Sequence, residues 1–161
     1  MENRTADMII SFLDQYNNHF EKLADFLAVK QNRILLDDLV WLEEGLVEEQ
    51  SYIMKGNSLE SKRLALFEQC GLKDKKLSEL PELFPEEYRG ALRMQSERLS
   101  DAVAKIKRLN EVSTDIVQRK MKAQEKLLGV DYTGTGAYSG DARISNKGSN
   151  LGDGGDIIGS V

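Results

Sequence analysis

The first segment of the chain repeats apolar residues at alternating intervals of four and three positions. The residues that follow this rule are Ile9, Leu13, Tyr16, Phe20, Leu23 and Leu27. This spacing places all of them on one stripe of an α-helix and is typical of long helices that pack side by side. We therefore predict a helix over about residues 6–33, with Thr5 or Asp7 as its N-cap.

A second apolar stripe begins after Asp37 and Asp38, either of which can cap a new helix. Its first members are Leu39, Leu42, Leu46 and Ile53. Gly56 falls in the middle of this segment, where it either separates two helices or costs one continuous helix roughly 1 kcal/mol. We favour a continuous helix that ends at Gly71, because helical spacing resumes directly after Gly56.

A small apolar cluster interrupted by two prolines precedes the last helix. Its members are Leu77, Leu80, Leu83 and Phe84, and they predict a short helical turn that closes the end of a hairpin. The last helix is predicted over about residues 85–128, with Pro85 in its first turn. Its apolar stripe consists of Leu92, Leu99, Val103, Ile106, Asn110, Ser113 and Val117, with Leu109 and Ile116 beside it.

Three long helical segments joined by short loops predict an all-α fold. We expect an elongated antiparallel bundle or coiled coil of three long helices, with a short connecting helix, over residues 1–128. A helix of about 40 residues is roughly 60 Å long, so the shape should be a thin rod. Residues 129–161 contain nine of the 13 glycines and are predicted to form a flexible tail.

The residue types needed for catalysis do not occur in productive combinations. His19 has no second potential metal ligand three or four positions after it and is predicted to be partly exposed on the surface. Cys70 has no adjacent base to activate it, so we interpret it as a small apolar filler. Neighbouring carboxylates such as Glu48 and Glu49 point about 100° apart on a helix. The sequence therefore predicts a protein that is not an enzyme and that needs no cofactor or metal.

Charge and hydropathy indicate where the protein acts. The net charge is −5, and the mildly basic second half mixes both signs, which argues against nucleic-acid binding. No apolar run approaches the roughly 18 residues that span a bilayer, and the first residues lack the features of a secretory signal. We predict a cytoplasmic protein that is at most peripheral to the membrane.

The last helix carries apolar residues on more than one face, including Met94, Ile116, Val117 and Met121. Either the other two helices cover these residues, or the final third of the helix extends past them and forms a binding groove. Both alternatives are compatible with the pattern. With no catalytic site predicted, the sequence favours a protein whose function is to bind other proteins.

Three segments of the sequence carry distinct motifs. Residues 59–92, LESKRLALFEQCGLKDKKLSELPELFPEEYRGAL, give a helix end, a glycine, a short turn and a new helix in that order. Residues 106–129, IKRLNEVSTDIVQRKMKAQEKLLG, contain a leucine–asparagine motif followed by an apolar helix. The third segment is a tyrosine-containing, glycine-rich tail, DYTGTGAYSGDARISNKGS. These segments resemble the FlgN family, the flagellar export chaperones of the bacterial type III flagellar secretion system, with Ser113 in place of the family's second asparagine.

The resemblance implies a helical chaperone that holds the C-terminal segments of the hook–filament junction proteins FlgK and FlgL. It also implies delivery of this cargo to the export gate through FlhA. The cargo-binding residues expected from it are Leu99, Val103, Ile106, Leu109, Asn110, Val112, Ile116 and Val117. Tyr132, by its position after the last helix, and Tyr138 are the residues expected to dock at the gate.

A second hypothesis belongs to another class of protein. In a constitutive coiled-coil scaffold or dimerisation protein, the same apolar stripes would meet an identical chain, and Asn110 and Ser113 could set the register. Such a scaffold has no need of tyrosines spaced through a glycine-rich tail. The tail therefore favours the export chaperone.

Overall fold

The computed structural model describes residues 2–129 as a chain of helices, with no strand in that range. Helix α1 spans Glu2–Leu35, α2 spans Leu39–Gln69, and α4 spans Glu86–Leu128. A 3-10 turn at Leu77–Glu79 and a short helix α3 at Leu80–Leu83 connect α2 to α4. The all-α fold with three long helices and a short connecting helix is confirmed.

Helix α1 buries the stripe that its sequence pattern predicts, since all six residues of the heptad lie in the core. Its predicted N-caps are wrong, because α1 begins at Glu2 and runs through Thr5 and Asp7. The buried side chain of Ala6 accounts for the earlier start, because this residue anchors the first turns to the core.

The turn between α1 and α2 is only three residues long, and Asp37 adopts a left-handed conformation within it (φ 53°). Asp38 is the N-cap of α2, and its Oδ1 accepts a hydrogen bond from the backbone N–H of Trp41 at 3.1 Å. Helix α2 continues through Gly56 as predicted and ends where Gly71 turns the chain with φ 70°.

The connecting segment packs one end of the bundle closed. Leu77 of the 3-10 turn and Leu80 of α3 are both buried in the common core with Leu92 of α4. Pro85 caps α4 rather than lying inside its first turn. Gly129 ends α4 in the left-handed conformation that favours glycine at this position.

Helix α1 is the central element, because α2 and α4 each pack on α1 and hardly approach each other. Helices α1 and α2 are antiparallel, while α1 and α4 run in the same direction. The parallel pairing follows from three contacts that ascend together along both helices: Asn17 with Gln95, Asp25 with Lys105, and Asp37 with Lys120.

The two ends of the bundle differ in how well they are packed. At the closed end, the 3-10 turn and α3 pack against the start of α4, and Leu77 and Leu80 join the core that α1, α2 and α4 share. At the open end lie the α1–α2 turn, the first half of α2 and residues 110–128 of α4. Lys120 contacts the α1–α2 turn there, and α4 then continues for eight residues, about 12 Å.

Candidate functional site

The predicted cargo-binding residues of α4 occupy three different environments. Leu99 and Leu109 are buried in the core; Val103, Ile106, Asn110 and Ile116 are half-buried; Val112 and Val117 are exposed. Leu99 and Leu109 therefore contribute to the fold, and Val103 and Ile106 also pack against the core with part of their surface accessible. Of the predicted apolar residues, Val112 and Val117 are the most exposed.

The row of α4 that faces α1 differs from the predicted stripe by one position in its second half. Leu109, predicted to flank the stripe, is buried, whereas Val117, predicted to be part of it, is 40% exposed. The cause lies earlier in the helix, where the buried row contains Gln95, four residues before Leu99, and Ala102, three residues after it. The same spacing continued along the helix turns Leu109 towards α1. It leaves Asn110 and Val117 at the edge of the buried row.

Four of the predicted residues lie along one side of α4, three of them half-buried and Val117 exposed. At 100° per residue, Val103, Ile106, Asn110 and Val117 all fall within about 60° of one another on the helix surface. Val112 lies about 180° from Val103 and Ile116 about 140° from it. The structure thus places four of the predicted residues on one line, which we call the α4 edge, and separates Val112 and Ile116 from them.

The first half of α2 adds a second apolar surface at the open end. Leu39, Val40, Leu46 and Val47 are all more than half exposed. Single exposed apolar residues are ordinary on protein surfaces, but a set this close on one helix is a candidate interaction surface. The sequence pattern predicts Leu39 and Leu46 as part of a packed stripe. In the structure, this half of α2 packs on α1 through Trp41 and Tyr52 instead, both partly buried against Phe26.

A buried polar network fixes α4 against α1 nearer the closed end. The Asn17 side-chain amide donates to the Gln95 backbone carbonyl (2.9 Å) and to Gln95 Oε1 (2.7 Å), and both residues are buried. Arg98 Nη1 donates to Gln95 Oε1, and its guanidinium also binds Asp14 and Glu21 of α1. Paired polar groups of this kind specify one register between helices.

The network sets the positive charge of Arg98 against the negative charges of Asp14 and Glu21, and this pairing shifts the pKa of each group. Hydrogen bonds from Arg98 lower the pKa of the Asp14 and Glu21 carboxyls. Hydrogen bonds to those two carboxylates raise the pKa of Arg98. All three groups therefore stay charged near neutral pH, and the network ties α1 to α4 through opposite charges.

A second polar network joins α1 to α2. The Tyr16 hydroxyl donates to Glu60 Oε2 at 2.7 Å, and Arg63 donates to both carboxylate oxygens of Glu60. Burial raises the pKa of Tyr16, and the Glu60 charge raises it further, so the phenol remains a donor. Gln95 and Arg63 were not predicted to be buried polar residues. The heptad spacing of Gln95, between Leu92 and Leu99, is the signal that could have identified it.

His19 is buried, so the prediction of a partly exposed surface histidine is wrong. Its ring lies against Phe20 and Tyr52, and its Nε2 is 3.3 Å from the position that a Cβ on Gly56 would occupy. Because Gly56 has no side chain, it leaves room for the His19 imidazole beside α2. Burial lowers the pKa of His19, and the Lys55 charge adds to this effect.

The described residues hold little of what catalysis or metal binding requires. Within residues 2–129, no group of three or more His, Cys, Asp and Glu side chains is arranged to hold a metal. Burial raises the pKa of the Cys70 thiol, which disfavours the reactive thiolate. No helix in the same range is long and apolar enough to cross a membrane.

Tyr132 and Tyr138, the predicted gate-docking residues, lie outside the described residues. The same holds for the predicted tail after Gly129. Their assignment to a docking function stays a prediction.

Comparison with known proteins identifies the family. A family model described as FlgN protein matches residues 1–139. No curated protein and no solved structure matches the chain. The match covers every described helix and extends eleven residues past α4, which confirms the resemblance found in the sequence motifs. The chain belongs to the FlgN family and has that family's general character, a flagellar export chaperone.

Proposed function

We propose that this chain holds the C-terminal segments of FlgK-like and FlgL-like hook–filament junction proteins in the cytoplasm and delivers them to the export gate. The observation that supports this most directly is the separation of α2 and α4 at the open end. Each helix presents apolar residues there, and α1 alone lies between them.

The α4 edge fits an amphipathic helical segment of the cargo. Val103, Ile106 and Val117 recur at intervals that match one face of a partner helix, the usual arrangement when a helix lies in an apolar groove. Asn110 lies within this row and offers an amide to the cargo backbone or side chains. A cargo helix in this position would complete a four-helix arrangement at the open end.

Titration calorimetry with C-terminal peptides of FlgK-like and FlgL-like proteins tests the cargo. Binding in the micromolar range is expected, and its absence at tens of micromolar would refute the assignment. Val117→Asp should weaken peptide binding at least tenfold, because burying an unpaired carboxylate against an apolar cargo is unfavourable.

Val112→Asp is the matched control for that variant. Val112 and Val117 have nearly equal exposed fractions, 37% and 40%, but lie about 140° apart on the helix. The control should bind cargo as the wild type does. Equal losses in the two variants would show that the α4 edge is not the binding surface.

Delivery to the gate is proposed to depend on the tail, through Tyr132 and Tyr138 and the export protein FlhA. A polar, glycine-rich segment that orders on binding gives a weak and reversible contact, as handover of a cargo requires. Tyr132→Ala should leave peptide affinity unchanged and reduce secretion of the junction proteins. A parallel loss of peptide affinity would contradict this division between helix and tail.

A further inference from the structure

A groove runs between α1 and α2 in the half of this hairpin nearer the α1–α2 turn. Three aromatic side chains, Phe26, Trp41 and Tyr52, form its floor, and Val29, which is 45% exposed, forms part of its wall. The groove has a volume of about 350 Å³. Phe26 stacks on Trp41 with ring centroids 5.6 Å apart, and its centroid lies 5.4 Å from that of Tyr52. The rings form one continuous surface, and we call this site the aromatic groove.

The aromatic groove and the α4 edge lie on opposite faces of the bundle. Asp25 lines the groove and pairs with Lys105 of α4 at 3.5 Å. Lys105 lies about 140° from Asn110 around α4, so the α4 edge faces away from the groove. On α1, Phe26 likewise lies about 180° from Asn17, the residue that binds α4. The aromatic groove is therefore separate from the surface to which cargo binding is assigned.

The groove has the residue types and the shape of a site for another helix. Trp41, the single tryptophan of the chain, and Tyr52 are half-buried rather than enclosed in the core. Tryptophan and tyrosine are enriched at protein interfaces, because they combine a large apolar area with a polar group. Lys22, Phe26 and Val29 line the α1 side at intervals of four and three, so they form one row along the helix. A partner helix lying along this row would cover the accessible part of the aromatic rings.

The α2 side of the groove is acidic. Glu48 lines the groove, and Glu44 lies one turn before it, about 40° away around α2. Both side chains are exposed, and neither forms an ion pair in the part of the chain that the structure describes. Asp25, on the α1 side, already pairs with Lys105, and Lys22 is the single basic residue that lines the groove. An occupant that complements the α2 side should therefore be positively charged.

Two arginines of the chain show which cation fits an aromatic ring beside a carboxylate. Arg33 lies over the Trp41 ring, 5.8 Å from its centroid, and pairs with Asp38 at 2.8 Å. Arg63 lies over the Phe67 ring at 5.2 Å and pairs with the glutamate three positions before it. A planar guanidinium can stack on a ring and donate to a carboxylate at once, whereas a lysine ammonium has no plane to stack. An arginine is therefore the cation that suits the aromatic groove.

We propose that the aromatic groove binds an amphipathic helix of a partner protein, with an arginine of that helix between Glu48 and Tyr52. Glu48 and Tyr52 are four positions apart on α2, so their side chains are neighbours and offer a carboxylate beside a ring. Apolar side chains of the partner helix cover Val29 and Trp41. Because the groove and the α4 edge face in opposite directions, the chain can hold this partner and a cargo segment at the same time.

Fluorescence of the full-length chain tests the proposal, because Trp41 is its only tryptophan and lies in the groove. The probe is a synthetic, tryptophan-free amphipathic helix of about 14 residues, or four turns, with a leucine row flanked by arginines. It should change the Trp41 emission saturably, with a Kd in the micromolar to millimolar range that weakens as salt is raised. A matched lysine peptide should bind at least about threefold more weakly, and a matched glutamate peptide should not bind.

Two control variants locate the binding site of the arginine peptide. Glu48→Lys should lower its affinity at least about tenfold, because the substitution places a like charge opposite the arginine. Glu43→Lys makes the same charge change at an exposed position about 140° from Glu48 around α2, and it should bind the peptide as the wild type does. Val117→Asp, on the α4 edge, should also leave the affinity unchanged.

Several results would overturn the inference. They include a Trp41 emission that the arginine peptide does not change, a Glu48→Lys variant that binds as tightly as the wild type, and a loss of binding in Val117→Asp. Emission that varies with protein concentration in the absence of peptide would instead place a second copy of the chain in the groove. Emission altered by Arg143→Gln with Lys147→Gln, the two basic residues after Gly129, would place the chain's own C-terminal segment there. Cargo is absent from all these measurements, so the outcome does not depend on the proposed export function.

Discussion

The closed and open ends of this bundle use the same kinds of residue in different ways. At the closed end, Leu77, Leu80 and Leu92 are buried together. At the open end, residues just as apolar, such as Leu46, Val47 and Leu127, are exposed. The difference arises because the connecting 3-10 turn and α3 cover one end, and no described element covers the other.

Polar residues divide in the same way between the ends. Asn17, Gln95 and Arg63 are buried with hydrogen-bonded partners in the half of the bundle that holds its register. Asn110, towards the open end, is only half-buried. Buried side chains are therefore concentrated in one half of the bundle and exposed apolar side chains in the other, so a variant at the open end can change that surface with little effect on stability.

The largest difference between the two ends should appear in the free energy of unfolding when one leucine is substituted at each end. Leu80→Ala removes a fully buried side chain (0% exposed) and should cost about 2–5 kcal/mol in the free energy of unfolding. Leu46→Ala removes a side chain that is 57% exposed and should change it by about 0.5 kcal/mol or less. Urea denaturation followed by circular dichroism measures both. Similar losses would mean that the open end is packed in solution.

A pair of asparagine substitutions tests the polar division. Asn17→Ala removes the buried amide that donates to the Gln95 backbone carbonyl and to Gln95 Oε1, and it should cost about 1–3 kcal/mol. Asn110→Ala should cost about 0.5 kcal/mol or less, because its half-buried amide can be replaced by water. The same denaturation experiment applies. An Asn17→Ala variant as stable as Asn110→Ala would show that the network does not hold α1 to α4.

Acidification should weaken the α1–α2 contact through His19. The folded protein lowers the pKa of His19 below its ordinary value of 6.5, so the unfolded chain binds the proton more tightly. The contribution of His19 to stability is therefore full above about pH 6.5 and falls as the pH drops towards its lowered pKa. Thermal melts at pH 7.5 and 5.5 measure this loss.

His19→Gln is the control for the pH effect and should flatten the dependence in that window. Asp14 and Glu21 do not interfere there, because their lowered pKa values place their titration below the ordinary carboxyl values of 3.8 and 4.5. A pH dependence that persists in His19→Gln would assign the effect to another group.

The smallest effect is expected from removing residues 130–161. A polar, glycine-rich segment buries little apolar area, so the melting temperature should change by less than about 2 °C. Differential scanning calorimetry of the full and shortened chains measures it. A large decrease would show that the segment packs on the bundle and would contradict its proposed role as a separate docking element.

The sequence was a good guide wherever the structure depends on local spacing. The heptad of α1 and the glycine end of α2 depend on residues within a few positions of one another and were predicted correctly for that reason. The cap of α2 is Asp38, one of the two aspartates between which the sequence left the choice open. The class of fold followed from the same regularity.

The sequence was a poor guide where burial depends on a distant partner. His19 is buried because Gly56, far along the chain, leaves room for its ring. The predicted stripe of α4 passes through Asn110, whereas the buried row passes through the adjacent Leu109. Only the position of α1 decides which of the two faces the core. The exposed half of α2 has a stripe as regular as that of α1, and periodicity alone does not reveal that α4 fails to cover it.

The pairing of α1 with α4 also has a consequence for synthesis of the chain. Asn17 and Gln95 are separated by 78 positions, so the main core cannot form until α4 has been made. At a synthesis rate of about 5–20 residues per second, the part of α4 that covers the apolar stripe of α1 is made roughly 4–16 s after that stripe. Contacts this distant in sequence also slow folding itself. A protein that shields the exposed segments of others therefore begins with a prolonged exposure of its own, and general chaperones that act at the ribosome have that interval in which to bind α1.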